Sequence, residues 1–166
     1  DQLDEADETF VVNLAAATNA TVDDGQGLAT IVDDDAPPAL SAGDVVTAEG
    51  HQGVHNVVFT VALRRASGRE VSVAWQTQDG TAQADSDYTA ASGVLTFPPG
   101  IVSRTVAVAV RGDTVDEANE TFRLLLSGEV HAVLADGEAL ATITDDDPLP
   151  TLSIASAVVT EGHAGT

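Results

Sequence analysis

Hydrophobic residues alternate with polar or small residues along several short stretches of the chain. Successive side chains of a β-strand point to opposite faces of the sheet, so this period of two predicts half-buried strands. The stretches are 40–48, 57–63, 71–75, 94–97, 106–110, 122–126 and 139–144. No stretch has a convincing helical period. About seven strands in about 110 residues predict an all-β fold, an immunoglobulin-like antiparallel β-sandwich.

The chain also repeats itself at a shift of about 112 residues. DEADETF at 4–10 matches DEANETF at 116–122, and ATIVDDD at 29–35 matches ATITDDD at 141–147. A fixed internal period of this kind is typical of proteins built from tandem repeats.

Two proline-containing links set the expected domain limits. Proline cannot donate to a sheet ladder and restricts the residue before it, so both links are expected to be short and stiff. The sequence therefore predicts the C-terminal part of one repeat at 1–35, a link at 36–38, a complete domain at 39–147, a second link at 148–150 and the start of a third repeat at 151–166.

The composition is strongly acidic. Asp and Glu number 27 against 6 Lys and Arg, which gives a formal net charge of −21. This imbalance disfavours binding to nucleic acid or to an anionic membrane, since both require a basic surface. No apolar run approaches the roughly 18 residues of a membrane span, and the absence of cysteine excludes disulfides and thiolate metal sites. We expect an extracellular or cell-surface protein of the bacterial secreted type, without membrane insertion.

The acidic residues concentrate at one end of the predicted sandwich. Because each strand reverses the one before it, the loops after the first, third, fifth and seventh strands lie at the same pole. The acidic positions in those loops are Glu49, Asp79, Asp85, Asp87, 113–120 and 145–147. The opposite pole is expected to carry Ser67-Gly68 and the Pro98-Pro99-Gly100 turn.

Such a pole requires a neutralising cation. Two like charges about 5 Å apart repel by roughly 3 kcal/mol at an effective dielectric constant near 20. Only Arg64, Arg104 and Arg111 lie near strand ends, and lysine is absent. Calcium suits the pole best because it accepts about 6–8 oxygen ligands in flexible geometry, whereas magnesium prefers a strict octahedron and zinc prefers His or Cys.

Other conspicuous residues have simpler interpretations. Asp79-Gly80, Asp23-Asp24-Gly25 and Asp136-Gly137 predict turns, and Trp75 is expected in the core. The histidines lack metal-ligand spacing and are expected to be exposed. No G-x-S-x-G, H-E-x-x-H, phosphate-binding glycine loop or EF-hand motif is present. We therefore predict a protein that is not an enzyme, with no catalytic residues.

Four motifs in order resemble the Calx-beta domain family. They are Glu49-Gly50, DGTAxxxxDY from Asp79 to Tyr88, DxxxExxETF from Asp113 to Phe122, and TITDDD at 142–147. The family is known from the regulatory region of sodium/calcium exchangers, an integrin subunit and long bacterial surface proteins. The resemblance covers 39–147 and both partial repeats.

The resemblance implies an immunoglobulin-like sandwich with Ca²⁺ bound at its C-terminal pole. Position by position, the implied ligands are Glu49, Asp87, Asp113, the carbonyl of Val115, Glu117, Glu120, Asp145, Asp146 and Asp147. The leading partial repeat retains Asp1, Glu5, Glu8, Asp33, Asp34 and Asp35, and the trailing one retains Glu161. Gly112 stands where exchanger members that bind several ions carry an aspartate, which implies fewer ions here.

Three functions remain open at this point. The first is a calcium-stiffened structural or adhesion module in a tandem array, whose partners are neighbouring repeats and an unknown protein or glycan ligand. The second is a calcium-sensing regulatory domain, which would require tighter sites. The third is an acidic spacer adapted to high salt, with no specific metal site. The partial repeats at either end are expected to be disordered unless neighbouring chain completes them.

Overall fold

In the computed structural model, which describes residues 2–163, the chain forms a β-sandwich flanked by a separate hairpin. The strands are β1 (Glu8–Asn13), β2 (Gln26–Ile31), β3 (Ala39–Ala42), β4 (Val45–Ala48), β5 (Gly53–Leu63), β6 (Val71–Asp79), β7 (Ser92–Phe97), β8 (Ser103–Gly112), β9 (Glu120–Val130), β10 (Val133–Asp136) and β11 (Glu138–Thr144). Within the described residues no helix could cross a membrane.

Two sheets make up the sandwich. One has the order β10-β3-β5-β8 and the other has the order β4-β11-β9-β6-β7. Most neighbouring strands are antiparallel, but β10 pairs with β3 and β11 pairs with β4 in parallel. The predicted immunoglobulin-like sandwich is thereby confirmed.

The first predicted strand of the domain divides between the two sheets, and an additional strand, β10, precedes the last predicted strand, which is β11. The predicted strand at 40–48 becomes β3 and β4, and Asp44 starts β4 beside β11 by accepting a hydrogen bond from the amide of Leu140 at 2.8 Å. Asp136-Gly137 joins β10 to β11 where the chain passes from one sheet to the other. The turn predicted at Asp136-Gly137 is thus a crossing between the sheets, at which Oδ1 of Asp136 accepts from the amide of Glu138.

The alternating apolar residues form one core between the sheets. Phe59 from β5 and Phe122 from β9 meet edge to face, with ring centroids 5.9 Å apart. Val71 and Val73 of β6 are fully buried, but Trp75 is only partly buried. Trp75 lies beside Gly93 of β7, where a β-carbon would come within 3.1 Å of the indole ring. The tryptophan therefore packs at the margin of the core.

The leading residues are ordered in part. β1 and β2 pair as an antiparallel hairpin, and its apolar side chains, among them Phe10 and Leu28, are exposed. The expectation that the leading segment is disordered is therefore wrong for 8–31. Residues 145–163 have no strand.

Candidate metal centre

The acidic loops converge at one end of the sandwich, as the strand order predicts. The amide of Glu49 donates to the carbonyl oxygen of Thr144, and the amide of Gly50 donates to Oδ1 of Asp146, both at 2.9 Å. These bonds fasten the loop after β4 to the end of β11. The amide of Asp145 donates to Oδ1 of Asn119, which brings the loop before β9 to the same place.

Three groups of side chains at this pole have ligand atoms close together. The groups are Glu49, Asp145 and Asp147; Asp87, Glu117 and Glu120; and His51, Asp146 and Asp147. Within each group the ligand atoms lie within 4.8 Å of one another. Seven of the nine ligand residues expected in the complete domain therefore stand in compact groups, and His51 joins them.

Asp147 is the most enclosed carboxylate of the cluster. Its side chain is 1% exposed, and its Oδ1 lies 2.6 Å from Nδ1 of His51. Its other oxygen, Oδ2, is buried and has no hydrogen-bond partner. A buried, unpaired carboxylate oxygen is costly unless something with positive charge meets it.

His51 is the site residue that the sequence interpretation missed. The ring is exposed, as expected, but it contacts Asp147 across 96 positions of sequence. Only the recurrence of Glu-Gly-His at 49–51 and 161–163 hinted at a role.

Asp87 and Glu120 share a hydrogen bond between their carboxyl groups. Burial, that bond and the charge of Asp87 raise the pKa of Glu120 from 4.5 to about 7. Two backbone amides hold Asp87 in place. The amide of Arg111 donates to its carbonyl oxygen, and the amide of Gln83 donates to its Oδ2. With a pKa of about 7 for Glu120, this pair of carboxyl groups is partly protonated at neutral pH.

The pKa values of two further carboxyl groups, those of Glu49 and Glu117, are raised by burial and by neighbouring carboxylates. Burial and the charge of Asp113 raise the pKa of Glu49, and Glu117 and Asp147 add to the effect. Desolvation and the charges of Asp113, Asp87 and Asp145 raise the pKa of Glu117. In all three carboxyl groups, burial and neighbouring carboxylates disfavour the ionised form.

The described chain offers these carboxylates few cations. Between residues 2 and 163 the one ion pair between an arginine and a carboxylate is Arg123–Glu138, which lies away from the acidic pole, where His51 contacts Asp147. No arginine comes within ion-pair distance of Glu49, Asp87 or Glu120 in that range.

Two of the sequence motifs build the site by packing against each other. Tyr88 stacks on Phe122 with ring centroids 4.2 Å apart and an interplanar angle of 7°. The Tyr88 hydroxyl donates to Oδ1 of Asp79, which also accepts from the amide of Ala84. The buried ring therefore holds the preceding Asp87 beside Glu120. Asp79, the last residue of β6, therefore organises this loop through its side chain.

Gly112 lies against the loop that carries Glu49. A β-carbon at position 112 would come 1.8 Å from the carbonyl oxygen of Gly50 and 2.8 Å from that of Glu49. No larger residue fits without moving this backbone. An aspartate at this position would therefore clash with the Glu49-Gly50 loop as it lies in this chain.

The remaining predicted ligands do not belong to the three compact groups. Asp113 is exposed, and its Oδ1 accepts from the amide of Val115, so it closes the loop around the Val115 carbonyl. In the leading segment, a cavity is lined by Glu5, Glu8, Asp33, Asp34 and Asp35. No three of these carboxylates meet as closely as those of the complete domain, within the described range. Asp1 lies outside that range, and Glu161 is exposed.

The donor set fits calcium by its chemistry. Two of the three groups contain only carboxylates, which are the hard oxygen ligands that calcium prefers. The unpaired, buried Oδ2 of Asp147 adds an oxygen whose cost a cation removes. The single exposed imidazole does not make the nitrogen-rich set typical of zinc.

Comparison with known proteins identifies the family. The Calx-beta domain model matches residues 45–147. The chain belongs to the Calx-beta domain family. This match confirms the resemblance drawn from the four motifs, whose residues build the pole described above.

Curated relatives include ion exchangers and a receptor. The sodium/calcium exchanger Calx of Drosophila melanogaster is 42% identical over 55 residues, which are 33% of this chain and 6% of that protein. Sodium/calcium exchanger 1 of Felis catus is 37% identical over 73 residues, 43% of this chain and 7% of that protein. Adhesion G-protein coupled receptor V1 of Danio rerio is 30% identical over 131 residues, 76% of this chain and 2% of that protein. The chain thus spans less than a tenth of each relative.

Solved structures give the same fold. The apo form of the Calx CBD1 domain superposes with a TM-score of 0.60 and 29% identity, covering 67% of this chain and 99% of that domain. The calcium binding domain CBD12 of CALX1.1 has a TM-score of 0.58 and 28% identity, covering 65% of this chain and 44% of that chain.

Proposed function

We propose that the chain is a calcium-binding structural module of a tandem array, with the ions held at the pole where one repeat meets the next. The observation that carries the proposal is the buried Oδ2 of Asp147, which lacks a partner among carboxylates that no arginine neutralises. The repeated sequence supports it, as does the likeness to the calcium binding domain CBD12 of CALX1.1.

The proposed ligands fall into two neighbouring sets. Asp147 and Glu49 are the enclosed members, and Asp145 completes their group. Asp87, Glu117 and Glu120 form the second, with Asp113 beside them and the Val115 carbonyl as a further oxygen. Asp146 is fixed by the Gly50 amide and borders the first set. A bound calcium ion supplies two positive charges and accepts several oxygens at once.

In the metal-free state the protein itself limits the repulsion. Glu120 keeps a proton near neutral pH through its bond with Asp87, and His51 lies against Asp147. These arrangements hold the loops close to the positions that ligation requires. Ion binding would replace the retained proton and order the loops that face the next repeat.

Residues 1–35 and 151–166 are, in this proposal, parts of adjacent repeats. The cavity lined by Glu5, Glu8 and Asp33–Asp35 is the incomplete counterpart of the same pole, with Asp1 as its further member. Glu161 corresponds to Glu49 of the complete domain. A stiffened array suits a secreted or cell-surface adhesion protein, where calcium is millimolar and dissociation constants near 10⁻⁴–10⁻³ M suffice.

A calcium-sensing role is the second candidate. The similarity to sodium/calcium exchangers favours it. A sensor requires dissociation constants near 10⁻⁷–10⁻⁵ M, at least about tenfold tighter than those of a structural module. Affinity therefore separates the two roles.

Thermal unfolding with and without calcium tests the proposal. Calcium at about 100 times its dissociation constant adds roughly 2.7 kcal/mol per site to the free energy of unfolding. We expect a higher melting temperature in calcium than in chelator, and no such increase in potassium chloride of equal ionic strength. Stabilisation by potassium chloride alone would instead favour an acidic spacer adapted to salt.

A further inference from the structure

The leading segment docks on the loop between β5 and β6 through Asp4. Ser67 Oγ donates to Oδ2 of Asp4 at 3.0 Å, and the amide of Gly68 donates to the Asp4 carbonyl oxygen at 2.9 Å. Asp4 and Ser67 are both 2% exposed. A carboxylate that is buried and hydrogen-bonded in this way makes a specific contact, because its burial is costly without these donors.

The receiving loop has its shape fixed by its own domain. Ser67 Oγ accepts from the amide of Arg69 at 3.0 Å, and the Ser67 carbonyl oxygen accepts from the amide of Gly100 at 3.0 Å. The side chain of Glu5 lies directly over Gly68, since a β-carbon at position 68 would come 2.7 Å from its Cγ. The loop therefore presents a preformed hydroxyl and amide to Asp4 at a point of close approach.

Charges also favour a head-to-tail arrangement of repeats, in which the acidic pole of one repeat meets the loop between β5 and β6 of the next. Three of the six basic residues of the chain, Arg64, Arg65 and Arg69, lie in this loop region. This loop region lies against the leading segment, which supplies the acidic residues Asp4 and Glu5. The Arg65 guanidinium donates to the carbonyl oxygen of Ala36 in the link. An acidic pole that meets a basic loop favours head-to-tail over head-to-head association.

The complete domain carries the same docking residue without a partner. The repeat aligns Asp4 with Asp116 and Glu5 with Glu117. Asp116 is half-buried, and its side chain has no hydrogen bond within residues 2–163. The two proline links differ in the same way as Asp4 and Asp116. Pro38 is buried and its carbonyl oxygen accepts a hydrogen bond from the amide of Val133, whereas its counterpart Pro150 is exposed.

From this repetition we propose that Asp116 docks the Ser-Gly loop of the following repeat, as Asp4 docks Ser67-Gly68. The partner is a second copy of this repeat, which presents a hydroxyl, a backbone amide and a basic flank. The inference rests on the proposed tandem arrangement but requires no metal ligation by Asp116. Each repeat then has an acceptor at its acidic pole and a donor loop at the other.

The first test uses the 166-residue chain. Hydrogen exchange of the Gly68 amide is followed by NMR in the native protein, in Asp4→Ala and in Asp4→Asn. We expect exchange at least about tenfold faster in Asp4→Ala, the size of one lost hydrogen bond to a charged group, and a smaller acceleration in Asp4→Asn. Asp23→Ala, which removes the same charge from an exposed position, should exchange like the native protein. Equal rates in Asp4→Ala and Asp23→Ala would overturn the contact.

The second test uses a longer chain in which the unit 39–150 is duplicated in register. Asp116→Ala in the first copy should accelerate exchange of the Gly68 amide in the second copy by at least about tenfold, while Asp23→Ala should not. Ser67→Ala in the second copy should make the junction between the two copies more flexible, as Asp116→Ala does. Small-angle scattering measures this flexibility. An unprotected Gly68 amide in the second copy of the native duplicate would refute the proposal.

Calcium titration of the same variants separates this inference from the proposed function. Asp116→Ala should bind calcium within about twofold of the native affinity. If calcium does not bind but the exchange rates change as expected, the metal proposal fails and the docking stands. If calcium binds and the exchange rates do not change, the docking alone fails.

Discussion

The backbone of Gly112 packs so closely against Gly50 that a β-carbon at position 112 would lie 1.8 Å from the Gly50 carbonyl oxygen. This contact fixes the loop that carries Glu49, and Glu49 belongs to the most enclosed carboxylate group. The shape of the acidic pole therefore depends on a glycine that has no side-chain oxygen to offer a metal ion.

The first prediction concerns this contact. Gly112→Ala forces the Glu49-Gly50 backbone away from β8, so we expect a loss of about 3 kcal/mol in the free energy of unfolding and weaker calcium binding. Gly43→Ala is the matched control, because its β-carbon would meet only ordinary contact, with the nearest atom 3.8 Å away. Urea denaturation measures both. Equal stability of the two variants would show that the loop yields easily.

Asp147 gives a prediction in which the sign of the effect changes with calcium. Asp147→Asn removes a buried charge whose Oδ2 has no partner, so the metal-free variant should unfold at the same or a higher temperature than the native protein. The same change removes a proposed ligand, so calcium affinity should fall at least about tenfold. Asp23→Asn, at an exposed position, should alter neither quantity. A variant that binds calcium like the native protein would remove Asp147 from the site.

The pH dependence of stability follows from the raised pKa values. Glu120 titrates at about 7 in the folded protein against 4.5 ordinarily, and the pKa values of Glu49 and Glu117 are also raised. Between those pH values the folded state binds more protons than the unfolded state, so the metal-free protein should lose stability as the pH rises from about 4.5 to 7.

Calcium should reverse this trend. Ligation requires ionised carboxylates, which lowers their pKa values in the bound state, so stability should then fall as the pH drops. Denaturant unfolding at several pH values, with calcium and with chelator, measures both slopes. Parallel slopes under the two conditions would contradict ligation by these groups.

Tyr88 provides a test of how the loop is held. Tyr88→Phe removes the hydroxyl that donates to Asp79 but keeps the stacking on Phe122, so we expect a loss of about 1–2 kcal/mol. Tyr88→Ala should cost about 3–5 kcal/mol because the core loses a buried ring. Thermal unfolding in chelator measures both. A Tyr88→Phe variant as stable as the native protein would make the hydroxyl contact unimportant.

Much of the pole could be predicted from the sequence. The alternation of apolar residues indicated the strands, and their order placed the loops of Glu49, Asp87 and Asp145 at one end. That deduction needed no tertiary contacts, because consecutive antiparallel strands must alternate in direction.

The contacts within the pole could not be predicted in the same way. The pairing of His51 with Asp147 joins residues 96 positions apart. The approach of Gly50 to Gly112 depends on where two loops pass each other. The additional strand β10 and the crossing at Asp136-Gly137 depend on which sheet each segment joins, and local turn chemistry carries no information about that choice.

The burial of Asp4 illustrates the same difficulty between repeats. The sequence marks Asp4 and Asp116 as equivalent, but only the fold brings Ser67 to one of them.

Calorimetric titration of the full chain with calcium tests the central claim most directly. We predict saturable binding with a dissociation constant near 10⁻⁴–10⁻³ M, weak binding of magnesium, and calcium affinity at least about tenfold lower in Asp147→Asn and Glu120→Gln. Heats that never saturate, or native calcium affinity in both variants, would contradict a calcium site at this pole.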